Sequence, residues 1–222
     1  MKRTVVLISL FLFGMVSAAS AATRNLQYWK NESLSWGIAK DWKLGLSSDI
    51  YFKDNASDFY YQRTELGVTY SGLAKWLDLS VTYTRIVVES NNIWKREEEP
   101  VLVGTFKWTV KGFAISDKNR FEYRIIEDAE DGWRYRNQVQ VKAPWKWTRF
   151  AIQPYVADEF FVDINSQVLN DNRVQPGFSF KLTKELSMDI YYMWRRVKST
   201  ARKTLGKWLT QDILGTRLKL TF

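Results

Sequence analysis

Between Asn25 and Phe222 apolar and polar side chains alternate with a period of two, the mark of strands with one apolar face. Leu44, Leu46, Ile50 and Phe52 fall on one side of their segment, and Lys43, Ser47, Asp49 and Tyr51 on the other. Further along, Leu186, Met188, Ile190, Tyr192 and Trp194 alternate with Ser187, Asp189, Tyr191, Met193 and Arg195. The C-terminus repeats the pattern, with Leu214, Thr216, Leu218, Leu220 and Phe222 against Gly215, Arg217, Lys219 and Thr221. Eleven such segments are expected, near 26–38, 42–53, 59–71, 76–88, 99–110, 112–126, 133–142, 147–161, 172–183, 186–197 and 209–222. Most exceed the roughly 5–6 residues of a soluble strand and reach the roughly 9–11 that a tilted membrane strand needs.

The connections between segments alternate as well. Short turns at 39–41, 72–75, 111–112, 143–144 and 184–185 trade places with polar loops near 53–58, 89–98, 127–132, 162–171 and 198–208. Short turns at one end and longer loops at the other describe an antiparallel transmembrane β-barrel, with the turns periplasmic and the loops extracellular. An internal repeat has the same rhythm: Trp42-Lys43-Leu44-Gly45-Leu46 returns as Trp76-Leu77-Asp78-Leu79-Ser80, and more loosely at Phe113, Trp147 and Leu186. A bulky apolar residue just after each turn suits an aromatic girdle at a membrane interface. Single-chain bacterial barrels have even strand numbers. Ten strands are therefore expected, with twelve as the alternative, although eleven segments alternate.

Alternation leaves open which face meets solvent; the charges decide it. Asp49, Arg63, Glu65, Asp78, Arg120, Glu122, Arg124, Arg134, Arg136, Glu159, Asp189, Arg195 and Arg217 all lie on polar faces, whereas mid-strand apolar faces are nearly free of charge. Strand length and loop asymmetry favour lipid outside and charge inside. Arg63, Glu65, Arg120, Glu122, Arg124, Arg134, Arg136, Glu159, Asp189, Arg195 and Arg217 are the expected lumen network. Arg120, Glu122 and Arg124, at i, i+2 and i+4, share one face. Such a network either fills the lumen with cross-strand ion pairs or forms a basic constriction that passes anions. About ten strands enclose little more than the side chains themselves, so a general porin is not expected.

The first 22 residues read as a secretory leader. Lys2 and Arg3 precede an apolar stretch from Thr4 to Val16, and Ala19-Ser20-Ala21 forms a small-residue cleavage site. The expected organisation is a signal peptide over 1–22 and one barrel domain over 23–222. Loss of the leader takes two units from the formal net charge of +9.

Cys and His are both absent, which excludes thiolate metal sites, disulfides, and Ser-His or Cys-His catalysis. No enzyme activity, cofactor or metal centre is expected. Glu97-Glu98-Glu99 and Asp128, Glu130 and Asp131 read as charged loop lips, solvated or holding divalent cations beside lipopolysaccharide. Lys198, Arg202, Lys203 and Lys207 make the last loop basic, but no compact nucleic-acid-binding pattern occurs. The 11 Trp and 11 Tyr are assigned largely to interfacial belts on the outer face. Pro154 and Pro176 are expected at bulges or strand ends.

Two resemblances add to this reading. Thr216-Arg217-Leu218-Lys219-Leu220-Thr221-Phe222 resembles the C-terminal signal strand of Gram-negative outer-membrane proteins, with Leu218, Leu220 and Phe222 at the positions read by the barrel-assembly machinery. The mature chain also resembles an uncharacterised bacterial family of outer-membrane barrels, DUF2490. The likeness lies in Tyr60-Tyr61-Gln62-Arg63-Thr64-Glu65-Leu66-Gly67-Val68, Trp94-Lys95-Arg96-Glu97, Asn119-Arg120-Phe121-Glu122-Tyr123-Arg124, Trp133-Arg134-Tyr135-Arg136-Asn137 and Tyr155-Val156-Ala157-Asp158-Glu159-Phe160-Phe161. It implies fold and location and supplies no activity. The expected protein is a monomeric outer-membrane barrel in contact with lipid and lipopolysaccharide. It is a structural barrel or a narrow, anion-biased passage, or alternatively an accessory barrel that binds a larger envelope complex.

Overall fold

All eleven alternating segments form strands in the computed structural model, which describes residues 26–90, 92–199 and 205–222. The expected leader lies outside the described residues. The strands are β1 (Gln27–Ala39), β2 (Trp42–Lys53), β3 (Asp58–Ala74), β4 (Leu77–Ser90), β5 (Ile93–Val110), β6 (Phe113–Ile126), β7 (Gly132–Lys142), β8 (Gln153–Asp163), β9 (Val168–Lys181), β10 (Leu186–Lys198) and β11 (Trp208–Thr221). They form one closed barrel in chain order, each strand antiparallel to its sequence neighbour. The seam is different. β1 and β11 run parallel, from Gln27↔Ile213 to Ser35↔Thr221. That pairing answers the parity problem: an odd number of strands closes when one pair is parallel, so neither ten nor twelve is needed.

An odd count puts the start of β1 and the end of β11 at opposite rims. β1 starts at the rim called N-terminal here and β11 finishes at the C-terminal rim, where the Phe222 amide donates to the Ser35 carbonyl at 2.9 Å and its own carbonyl accepts from Gly37 at 3.2 Å. The connections expected to be short turns lie at the C-terminal rim, and those expected to be longer loops at the N-terminal rim.

Several boundaries differ from expectation. β5 begins at Ile93, not near 99, and pairs with β4 as far as Ser90↔Ile93, so most of the expected 89–98 loop is strand. The 162–171 loop likewise shrinks as β8 and β9 extend to Asp163 and Val168. In the other direction, the short turn expected at Ala143-Pro144 opens into a connection from 143 to 152, closed by an isolated Trp147–Ile152 bridge. β8 therefore starts at Gln153. Pro154 sits near that start, while Pro176 lies inside β9, where the β9–β10 ladder skips from Gly177↔Tyr191 to Val174↔Trp194. A residue without an N–H leaves such a gap.

The two faces carry opposite chemistry. Among the described residues 32 large hydrophobic side chains are exposed, and most lie on the outer wall, Leu46, Leu66, Val81, Leu102, Phe121 and Val156 among them. Rings crowd both rims. Trp36–Phe222, Trp42–Tyr70, Trp76–Phe106 and Phe113–Trp145 pair towards the C-terminal rim, and Tyr28–Phe52, Phe59–Trp94 and Tyr123–Trp133 towards the N-terminal rim. Inside, Trp29, Tyr155, Tyr191, Met193 and Ile213 form a small apolar core beside the seam.

The Tyr191 ring lies flat over Gly215, its cross-strand partner, and a Cβ there would stand 2.0 Å from the ring. Gly215→Ala is expected to cost about 1–3 kcal/mol by overpacking, whereas Gly104→Ala, with nothing nearer than 3.9 Å, leaves stability nearly unchanged. Denaturant midpoints of the two variants refolded in detergent check this.

Candidate functional site

Every second residue of each strand points into the barrel. In the half towards the N-terminal rim these residues form a belt of ion pairs from β2 to β10, continued by a hydrogen bond to β11. Asp49 accepts from Asn31 at 2.8 Å and from Arg63 at 3.3 Å. Arg63 also pairs with Glu65, which takes the Arg120 guanidinium at 2.6 Å and the Thr84 hydroxyl at 3.0 Å. Arg120 donates to Glu122 at 2.9 Å, and the same carboxylate receives Arg134 and Arg136. Arg136 continues to Glu159 at 2.8 Å. Arg173 then joins Glu159, at 3.6 Å, to Asp171, at 2.8 Å. Arg195 closes on Asp171 at 2.7 Å and on Gln211 at 3.0 Å. A second row nearer the rim pairs Arg124 with Glu97 and Arg134 with Glu99.

Glu99 and Glu122 have no exposed surface, and Arg120 is 4% exposed. A charge so enclosed is retained only where hydrogen-bonded countercharges replace its hydration. Glu122 shows how this is done, with three guanidinium groups around one carboxylate.

Aromatic rings close the space beside the belt. Trp29 stacks on Tyr51 at 4.0 Å between centroids, and Tyr51 on Tyr61 at 4.4 Å. The guanidinium of Arg173 lies over Trp29 and Phe161, at 5.1 and 4.2 Å, a cation–π arrangement. A bulge contributes too: β2–β3 pairing steps from Tyr51↔Tyr61 to Phe52↔Phe59, leaving Tyr60 unpaired. Its hydroxyl donates to Gln27 at 2.9 Å, and Gln27 accepts from the Trp29 indole at 3.0 Å.

Beyond this floor the lumen is a basin of about 540 Å³ that reaches the C-terminal rim. Its walls carry small polar residues, Ser33, Ser47, Ser80 and Thr105 among them, together with Lys118 and Gln138. The structure thus divides the expected lumen residues into two groups. Arg63, Glu65, Arg120, Glu122, Arg124, Arg134, Arg136, Glu159 and Arg195 meet in the belt and its rim row. Asp189 and Arg217 do not; they pair with each other at 3.3 Å in the basin, where Asp189 also holds Lys219 at 2.8 Å.

The arrangement also contains members outside the expected set. Glu97 and Glu99, expected at a loop lip, are buried strand residues facing inward; only Glu98 between them faces out, near Arg85 at 3.6 Å. Their alternation within β5 was the available signal. Asp171 and Arg173 complete the belt, and Trp29, Tyr51 and Tyr191 are inward aromatics. Leu218, Leu220 and Phe222 stand on the outer wall, with Phe222 stacked 6.3 Å from Trp36.

That outer wall carries a hydrogen-bonded polar patch on β6 to β9. Asp117 accepts from Asn119 at 3.1 Å and from Asn137, and Asn172 donates to Asp158 at 2.8 Å.

Among known families, the one described as Protein of unknown function (DUF2490) matches residues 26–206. No curated protein matches the chain.

Proposed function

We propose that this chain, which belongs to the DUF2490 family, is an integral β-barrel of the bacterial outer membrane whose role is structural and whose lumen is sealed. The observation that carries the reading is the inversion of the barrel, with ion pairs enclosed and large apolar side chains exposed over the wall. A water-soluble protein rarely exposes a contiguous apolar patch of more than a few hundred Å². Rings at both rims suit the two interfaces of a bilayer. The tightly paired belt, with Glu99 and Glu122 fully buried, favours a structural barrel over the anion-biased passage, because ions need a hydrated path. On this reading the C-terminal rim is periplasmic, and Leu218, Leu220 and Phe222 form the strand recognised by the assembly machinery.

Cell fractionation with gel electrophoresis tests the membrane assignment. The protein is expected in the outer-membrane fraction and to migrate differently boiled and unboiled. A wholly soluble periplasmic pool with one mobility contradicts it.

A second reading, an accessory barrel docked to a larger envelope complex, is favoured by the outward patch of Asp117, Asn119 and Asn137. Polar groups facing lipid are costly and mark protein contacts. A photo-crosslinker at position 119 is expected to capture one protein species in cells. Capture of lipid alone contradicts that reading.

A further inference from the structure

We propose that the basin at the C-terminal rim is a binding site for a compact phosphate-type oxyanion. The belt balances its charges; the basin does not. The belt arginines that line it, Arg63, Arg120, Arg136 and Arg173, are answered by Asp49, Glu65, Glu122, Glu159 and Asp171; the other charged side chains of the lining are Lys118, Arg217 and Lys219 against Asp78. Asp78 is itself engaged by Lys107 at 2.7 Å. Asp189, beside the basin, faces both Arg217 and Lys219.

Lys118 concentrates the surplus. Among the described residues it makes no hydrogen bond or ion pair, and its electrostatic neighbours include Arg120, Arg63 and Arg136 as well as Glu65. Confined fixed charges of one sign, walled by low dielectric, concentrate a mobile counterion. The ladder also arranges donors around the ammonium group. Thr105 of β5 pairs with Lys118 of β6, and Lys118 with Gln138 of β7. Hydroxyl, ammonium and amide thus stand in one row facing the cavity, and the Gln138 amide has no hydrogen-bond partner among the described residues. A compact oxyanion accepts from all three kinds of donor. The cavity, about 540 Å³, has room for such a group and some of its hydration.

The test is calorimetric titration of the full mature barrel, refolded in an uncharged maltoside detergent, with pyrophosphate as probe and glucose as the neutral control. Saturable pyrophosphate binding near one per barrel is expected, weakening as salt rises, with no response to glucose. Lys118→Met, which keeps the aliphatic stem, is expected to weaken binding at least tenfold, Lys118→Arg to retain it, and Gln138→Leu to weaken it less. Unboiled gel mobility confirms that each variant is folded, and Gln138→Leu serves if Lys118→Met is not. Repeating the titration in phosphatidylglycerol nanodiscs separates the sources. Binding that persists there indicates a free solute, whereas loss relative to maltoside indicates a lipid phosphate in the same site. No saturable binding in maltoside at millimolar pyrophosphate, or equal affinity in folded Lys118→Met, overturns the proposal.

Discussion

Glu122→Ala is expected to destabilise the barrel more than any other single truncation in the belt. Glu122 is fully buried and is the common acceptor for Arg120, Arg134 and Arg136. Its removal leaves three guanidinium groups crowded together with one fewer countercharge. Breaking a single buried ion pair by deleting one partner costs roughly 3–5 kcal/mol, and here one deletion breaks three. The loss should therefore be at the upper end of that range or beyond it, enough to prevent refolding at moderate denaturant. Asp78→Ala at the C-terminal rim is the contrast. It loses one pair with a half-exposed Lys107, an interaction of about 0–1 kcal/mol. Urea titration of both variants in detergent, followed by unboiled gel mobility, measures the difference. Equal midpoints would show that the belt does not carry stability.

The second large effect concerns the floor of the basin. Trp29 and Tyr51 line the cavity and stack face to face at 4.0 Å, with Arg173 against the indole. Trp29→Ala with Tyr51→Ala removes both rings where they separate the basin from the N-terminal rim. The double variant is expected to show conductance steps in a planar bilayer that are absent without the substitutions. Cation–π contacts of Arg173 and Arg195 to Trp29 disappear with the ring, so these guanidinium groups become wetter and the steps should be anion-biased. A stability loss accompanies the opening, since truncating a buried Trp costs about 3–5 kcal/mol. A folded double variant without steps would show that other side chains seal the lumen unaided.

Period-two alternation made the faces legible in the sequence. It placed Asp49 and Tyr51 opposite Ile50 and Phe52, and Asp189 and Tyr191 opposite Ile190 and Tyr192, as the barrel does. The seam was not legible, because whether β1 meets β11 in parallel depends on curvature and register summed around eleven strands, not on either segment alone. The belt was legible in part. Arg120, Glu122, Arg134 and Arg136 lie close in sequence on facing strands. Glu97 and Glu99 sit in a run of three acids that hides their alternation, and their arginine partners lie 27 and 35 residues away. The aromatic floor was the least visible. Trp29 and Tyr51 have the composition of a girdle, and only the parity of their positions separates an inward ring from an outward one. Tyr60 defeats even parity, since it is the unpaired residue of a bulge.

The claim that the belt and floor close the barrel is tested most directly by single-channel recording of the unsubstituted protein, refolded and inserted into a planar bilayer at both polarities. The structure predicts a flat trace at moderate voltage, because Glu99, Glu122 and Thr84 have no exposed surface and Trp29 only 2%. Sustained ohmic steps from barrels whose folded state is verified by gel mobility would contradict it.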